Sequence, residues 1–155
     1  MSKTPAARLF TVESNHEREE PMTKPEAYEL RAVPVHLGPG TRAVPIEGWA
    51  WDPPTLAAYD ERVAAEGGEG RLITWFDQSG PWETWERHPA GDEVVVLLSG
   101  RADLIQELDG VEHRVAMSAG DVIVNPAGVW HTADVHEPGA ILTVTPGRGT
   151  ENRPR

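Results

Sequence analysis

The feature that most restricts the fold of this chain is a succession of short β-prone segments between Arg71 and Pro146, each bounded by Gly, Pro or Asp-Gly. Segments this short, at such regular spacing, predict an all-β sandwich or barrel rather than a helical protein. Leu108 to Gly110 reads LDG between two of them and predicts a tight hairpin turn. The eight segments are RLITWFD, WETWERH, DEVVVLLSG, RADLIQEL, EHRVAMS, DVIVNP, WHTADVH and AILTVTP.

The residues before Arg71 have a different character. Two β-prone runs, AVPVHL and TRAVPIEGW, are interrupted by prolines and predict edge strands, because proline cannot donate to a ladder. The run WDPPTLAAYDERVAAEGG predicts one short helix. Asp52 is its expected N-cap, and Gly67 and Gly68 are expected to end it.

The predicted organisation is one folded domain with two flanking segments. The polar, aperiodic residues 1–30 predict a mobile N-terminal arm. Residues 31–148 are expected to form a single barrel domain, with its main motifs in 80–100 and 120–135. Residues 149–155 are expected to form a C-terminal tail.

Composition narrows the range of partners. A chain of 155 residues suits one domain with a real core. Its net charge of −11 argues against nucleic acid and anionic membranes as partners, because both attract clustered Lys and Arg. The chain has no cysteine, so a metal would be held by imidazole and carboxylate groups. No secretory or membrane-spanning segment is apparent, and a cytoplasmic location is expected.

Several groups that can ligate metals are predicted to converge. Strand alternation directs Glu86 and His88 to the same face, together with Trp82. The turn PAGD then returns the chain so that Glu93 begins a neighbouring strand. The segment AGDVIVNPAGVWH places His131 at the head of another strand, after a Pro-Gly turn.

Two motifs in this region resemble those of the cupins, a superfamily of small jelly-roll barrels. The resemblance extends from about Arg71 to Pro146, and it implies an all-β jelly-roll barrel to which the predicted helix is added. There are two departures: Glu86 stands where the first motif has its first histidine, and Val135 stands where the second motif ends in asparagine. The matching positions are Gly80, His88, Glu93 and Gly100 in the first motif, and Gly120, Pro126, Gly128 and His131 in the second.

The resemblance implies a metal site formed by Glu86, His88, Glu93 and His131. Two imidazoles and two carboxylates suit a divalent Fe, Mn, Ni or Zn ion and leave coordination positions for a substrate. The alternative for Glu86 is a rim carboxylate hydrogen-bonded to Arg87, Arg101 or water. The histidines could instead line a polar pocket without a metal.

The function expected from this resemblance is a metal-dependent enzyme that acts on a small organic molecule inside the barrel. Dioxygenase-like oxidoreduction is the first hypothesis, with Glu86 as the catalytic base. The alternatives are a non-catalytic small-ligand-binding barrel, and a metal-free or metal-assisted isomerase or lyase. Trp75, Trp82 and Trp130 are candidates for a substrate pocket, although each could equally be a packing residue. A homodimer is expected, with Ala32 to Ile46 as a possible exchanged strand.

Overall fold

Nine strands and one α-helix make up most of the structure, a computed structural model that describes residues 26–155. Most of the arm predicted over residues 1–30 therefore lies outside the described residues. The helix α1 is Pro53–Ala65, and a short 3-10 turn spans Pro39–Thr41. The strands are β1 (Val35–Gly38), β2 (Arg42–Pro45), β3 (Arg71–Gln78), β4 (Thr84–Arg87), β5 (Glu93–Leu108), β6 (Val111–Ser118), β7 (Val122–Asn125), β8 (Trp130–Pro146) and β9 (Glu151–Pro154).

All strand pairings are antiparallel, and the predicted all-β jelly-roll barrel is confirmed. Neighbouring strands follow the order β2-β1-β3-β8-β4-β9, while β5 pairs with β6, β7 and β8. Strand β1 pairs with β2 and β3 of the same chain. The segment proposed for exchange between subunits is thus paired within its own sheet. No helix within residues 26–155 is long and apolar enough to cross a membrane.

The two long strands β5 and β8 each combine two of the segments predicted separately. The register between them shifts at Leu97, Ser99 and Arg101, so the strands bend where Gly100 (φ +85°) and Gly139 lie. A Cβ on Gly139 would lie 1.9 Å from the carbonyl oxygen of Ser99. Glycine therefore permits the two backbones to approach closely at the bend, where the sequence pattern suggested chain reversals.

The barrel core is an apolar cluster contributed by alternate positions of the long strands. Its members are buried and pack against one another, with Phe76, Trp82 and Ile123 at the margin. Since alternate residues of a strand point to opposite faces, β5 and β8 supply most of this core from one face each. The cluster comprises Val95, Leu97, Leu104, Met117, Ala133 and Ile141.

Helix α1 packs against β3 through a second apolar cluster of Tyr59, Val63 and Leu72. Asp52 accepts a hydrogen bond from the backbone N–H of Thr55 and caps the helix, as predicted. A buried polar link adds to this packing. His36 on β1 contacts the Tyr59 hydroxyl through Nδ1 at 2.8 Å.

The C-terminal residues form a strand rather than a tail outside the barrel. Strand β9 pairs with β4, and Asn152 lies opposite Glu86. The guanidinium of Arg153 stacks over Trp85 at 5.2 Å and over Trp130 at 4.6 Å. The segment ENRP has no apolar alternation, and it is held instead by backbone pairing with β4 and by the cation-π contacts of Arg153. Its sequence therefore does not resemble a strand.

Candidate metal centre

Strand pairing brings the four predicted ligands to one end of the barrel. Glu86 on β4 lies directly opposite His131 on β8. His88 follows β4 immediately, and Glu93 is the first residue of β5. Both histidines and Glu93 are buried, which is costly for polar side chains unless their charges and lone pairs find partners.

The donor atoms of these side chains approach one another closely. Single ligand atoms of Glu86, His88 and His131 all lie within 4.8 Å of one another. Oε1 of Glu93 lies 3.3 Å from Nε2 of His88, and Oε2 of Glu93 lies 3.1 Å from Nε2 of His131. Adjacent donors around an ion with bonds of about 2.1 Å are separated by about 3.0–3.4 Å. The Glu93 carboxylate is therefore placed as a ligand adjacent to both imidazoles would be.

The two Nε2 atoms are the orphaned polar atoms of the site. Both are buried, and neither has a hydrogen-bond partner among the described residues, because the contacts with Glu93 are not aligned as hydrogen bonds. His131 donates from Nδ1 to the carbonyl oxygen of Val129 at 3.1 Å, which leaves a lone pair on its Nε2. A buried lone pair that faces a carboxylate is unfavourable unless a proton or a metal ion lies between them.

Outer contacts orient both His88 and Glu93. Nδ1 of His88 lies 2.9 Å from Oγ1 of Thr150. The Glu93 carboxylate accepts hydrogen bonds from Asn125 Nδ2 at 2.9 Å and from Thr145 Oγ1 at 2.6 Å. Such second-layer contacts fix the ring orientation of a ligating histidine and the position of a ligating carboxylate.

Electrostatics distinguishes the two carboxylates. Burial alone would raise the pKa of Glu93, but its contacts with His131 and His88 outweigh burial and lower that pKa well below its usual range. Burial raises the pKa of Glu86, despite the nearby histidines. Burial alone would lower the pKa of His88, yet the contact with Glu93 raises it overall. Glu93 is thus the fixed anion of the site, and Glu86 is the carboxyl group that accepts a proton more readily.

The rim alternative for Glu86 finds little support in its proposed partners. Arg87 pairs with Glu151, and Arg101 pairs with Glu137. Glu86 instead lines a cavity that is partly open to solvent.

The donor set fits a divalent ion. Glu86, His88 and His131 offer one carboxylate oxygen and two imidazole nitrogens in a single cluster, and one of these imidazoles has a fixed tautomer. Glu93 contacts both imidazoles, and the negative charges of the two carboxylates would balance the ion.

A cavity of about 810 Å³ adjoins the two carboxylates. Glu86 and Glu93 line it, and so does Trp82, one of the three tryptophans predicted for a substrate pocket. Trp75 does not line this cavity, because it points to the face of β3 opposite that of Thr74 and Phe76, where Arg31 stacks over its ring at 4.4 Å. Trp130 is also outside the lining, and the guanidiniums of Arg87 and Arg153 stack over it.

The residues that form the outer contacts of the site carry no recognisable signal in the sequence. Thr150 belongs to the residues interpreted as a tail, and Asn125 and Thr145 lie at the ends of predicted strands. A threonine or asparagine at a strand end is common, so no sequence signal distinguishes these three. The aromatic residues Trp49 and Trp51, which also line the cavity, were not predicted as site residues.

Comparisons with known proteins agree with this architecture. The model of a family described as Cupin domain matches residues 75–146. No curated protein sequence matches the chain. Among solved structures, a cupin-2 domain containing protein from Shewanella frigidimarina is 24% identical, over 49% of this chain and 70% of that one, with a TM-score of 0.43.

Two further solved structures are similar at lower identity. A protein with a double-stranded β-helix domain from Klebsiella pneumoniae is 22% identical, over 55% of this chain and 76% of that one (TM-score 0.46). Hydroquinone 1,2-dioxygenase PnpCD, in complex with Cd²⁺ and 4-hydroxybenzonitrile, is 19% identical over 51% of this chain (TM-score 0.43). The aligned part spans 58% of that dioxygenase chain.

The family match covers β4 to β8 completely and the second half of β3, and it includes all four predicted metal ligands. With both motifs in their expected order, residues 75–146 of this chain are a cupin domain.

Proposed function

We propose that the protein is a metal-dependent enzyme that oxidises a small organic molecule with dioxygen inside the barrel. The observation that carries this proposal is the convergence of two buried, unpartnered Nε2 atoms on the Glu93 carboxylate, beside a cavity lined by Glu86. A cavity of about 810 Å³ is within the range that holds small-molecule substrates.

His88, Glu93 and His131 would hold the ion, with Glu86 as the fourth ligand. A bound divalent ion would supply Lewis acidity and open coordination positions. Thr150 and the Val129 carbonyl keep the two rings turned so that Nε2 faces the site. The buried position of the ligands excludes water from the side opposite the cavity.

Glu86 would act as the catalytic base. Unlike the two histidines, it lines the cavity, so its carboxylate can meet a substrate there. It has no part in the Asn125 and Thr145 contacts that immobilise Glu93. Glu86 would take a proton from a substrate hydroxyl or carbon acid while Glu93 stays bound.

The first experiment is elemental analysis of protein prepared without a metal-affinity tag or chelator. Wild type is compared with His131→Ala and with Glu83→Gln, a control that removes an exposed carboxylate from the cavity wall. We expect near-stoichiometric metal in wild type and in Glu83→Gln, and loss of the metal in His131→Ala.

The reaction type is tested separately, with protein loaded anaerobically with Fe(II). A dioxygenase consumes one O₂ for each molecule of substrate and transfers both oxygen atoms to the product. Consumption of O₂ with a candidate substrate, and ¹⁸O in the product at two atoms, would support the proposal. Substrate conversion without O₂ would indicate an isomerase or lyase instead.

Metal-free wild type whose melting temperature does not rise with Fe(II), Mn(II), Ni(II) or Zn(II) would contradict the proposal. The chain would then be interpreted as a small-ligand-binding barrel.

A further inference from the structure

Part of the cavity wall is built from residues outside the region matched by the cupin family model. Trp49, Trp51 and Tyr59 line it, and they precede residues 75–146. This wall comes from α1 and the segment just before it. It is therefore an addition to the barrel, and it provides chemistry that the shared motifs do not.

The rings of this wall form a continuous aromatic surface. Trp51 lies 5.0 Å from Phe76 on β3 and 5.2 Å from Trp49, between ring centroids. Trp51 is nevertheless 52% exposed, and Leu56, which also lines the cavity, is 42% exposed. Large apolar side chains that stay exposed along a concave wall are typical of a ligand site, because a ligand would remove their surface from water.

The surface stands on a rigid support. Trp49 packs against the apolar cluster of Tyr59, Val63 and Leu72, with its ring 5.5 Å from that of Tyr59. The Tyr59 hydroxyl contacts His36, whose Nε2 lies 2.6 Å from Glu66 on the other side of the ring. The aromatic wall is thus anchored from behind, and Trp51 and Leu56 are the parts open to a ligand.

The charges around the cavity restrict that ligand further. Five carboxylates line it, from Asp60, Asp77, Glu83, Glu86 and Glu93, against the single guanidinium of Arg148. Arg31 pairs with Asp77, and a divalent ion would balance Glu86 and Glu93. The remaining charges offer an anionic group no net attraction.

We propose that Trp51, Phe76 and Leu56 form a subsite for the ring of an aromatic ligand that carries no negative charge. The ring stacks on Trp51 while the polar end of the ligand points toward Glu86. This inference rests on the proposed function, because it names the substrate class of the same cavity.

The test measures binding of three probes to Zn(II)-loaded wild type by titration calorimetry or ligand-observed NMR. Benzyl alcohol carries the ring, cyclohexylmethanol is its saturated counterpart, and benzoate adds a negative charge. We expect benzyl alcohol to bind about threefold to tenfold more tightly than cyclohexylmethanol, the range expected for one ring-stacking contact.

Two tryptophan variants locate the contact. Trp51→Ala should weaken benzyl alcohol binding by about threefold to tenfold and remove the preference over cyclohexylmethanol. Trp75→Ala is the matched control, because Trp75 is next to Phe76 in sequence but lies outside the cavity, beneath Arg31. An equal loss in both variants, or equal binding of the two alcohols to wild type, would overturn the subsite.

His131→Ala separates this inference from the proposed metal site. The ring subsite should persist in that variant, with benzoate binding more weakly than benzyl alcohol once no ion can attract its carboxylate. Ring preference in a wild-type protein that binds no metal would sustain the subsite and refute the metal proposal. Metal binding without ring preference would refute the subsite alone, as would tighter binding of benzoate to His131→Ala.

Discussion

Oγ1 of Thr150, just before the C-terminal strand, lies 2.9 Å from Nδ1 of His88. The strand that follows is held in place by the stacking of Arg153 on Trp85 and Trp130. A segment that reads as a polar tail thus positions a proposed metal ligand. Its contribution is orientation of the His88 ring rather than coordination.

Thr150→Val should therefore weaken metal binding by about tenfold to a hundredfold, since valine keeps the shape of threonine but loses the hydroxyl. Thr150→Ser restores the hydroxyl and should bind metal nearly as well as wild type. Competition with a chromogenic chelator measures both affinities. Valine and serine variants with equal affinity would show that Thr150 only fills space.

Glu93→Gln should reduce metal affinity by more than the roughly 100-fold attributed to an outer contact, because it removes a ligand charge. The amide keeps the size of the side chain and can still accept from Asn125. Glu83→Gln removes an equal charge from the exposed cavity wall and is the matched control. The rise in melting temperature on adding Zn(II) should disappear only in Glu93→Gln. Its persistence there would exclude Glu93 as a ligand.

Asp134 should make stability depend on pH in the acid range. A hydrogen bond from Arg114, together with one from Arg155, lowers the pKa of this carboxyl group. A lowered folded-state pKa contributes stability above the ordinary value of about 3.9 and loses that contribution as pH falls through the lowered value.

Asp134→Asn should accordingly destabilise the protein by about 0.5–1 kcal/mol at pH 7, a value limited by solvent screening of this partly exposed group. The difference from wild type should shrink below about pH 4. Urea unfolding at several pH values measures it. The difference should also be smaller in an Arg114→Gln background, and a difference that does not vary with pH would contradict the assignment.

Gly139→Ala should destabilise the barrel by about 3 kcal/mol or more, because its Cβ would lie 1.9 Å from the Ser99 carbonyl oxygen, and backbone atoms cannot move aside as a flexible side chain does. Gly80→Ala is the matched control, since a Cβ there meets nothing within 4 Å. Thermal unfolding of the two variants should differ clearly. Similar melting temperatures would show that the bend between β5 and β8 is more open than described.

Homodimer formation stays a prediction. Light scattering should give twice the chain mass of 17.0 kDa. A species of the single-chain mass would contradict it.

The sequence by itself determined the β architecture, the helix capped by Asp52, and the motif positions of His88, Glu93 and His131. These follow from local rules: turn residues bound short strands, a cap begins a helix, and ligands recur at fixed spacing along paired strands. The same rules suggested too many strand boundaries, because a glycine that bends a continuous strand and a glycine that reverses the chain look alike.

Only the tertiary structure decided which residues surround those ligands. Thr150 reaches His88 from the far end of the chain, and Trp51 reaches the cavity from a segment that precedes the barrel. The tertiary structure also decided which of the three predicted tryptophans line the cavity. Trp82 does, whereas arginines stack over Trp75 and Trp130 outside it. Contacts between residues this distant depend on how strands pair and bend over the whole barrel, and no local pattern of residues records that.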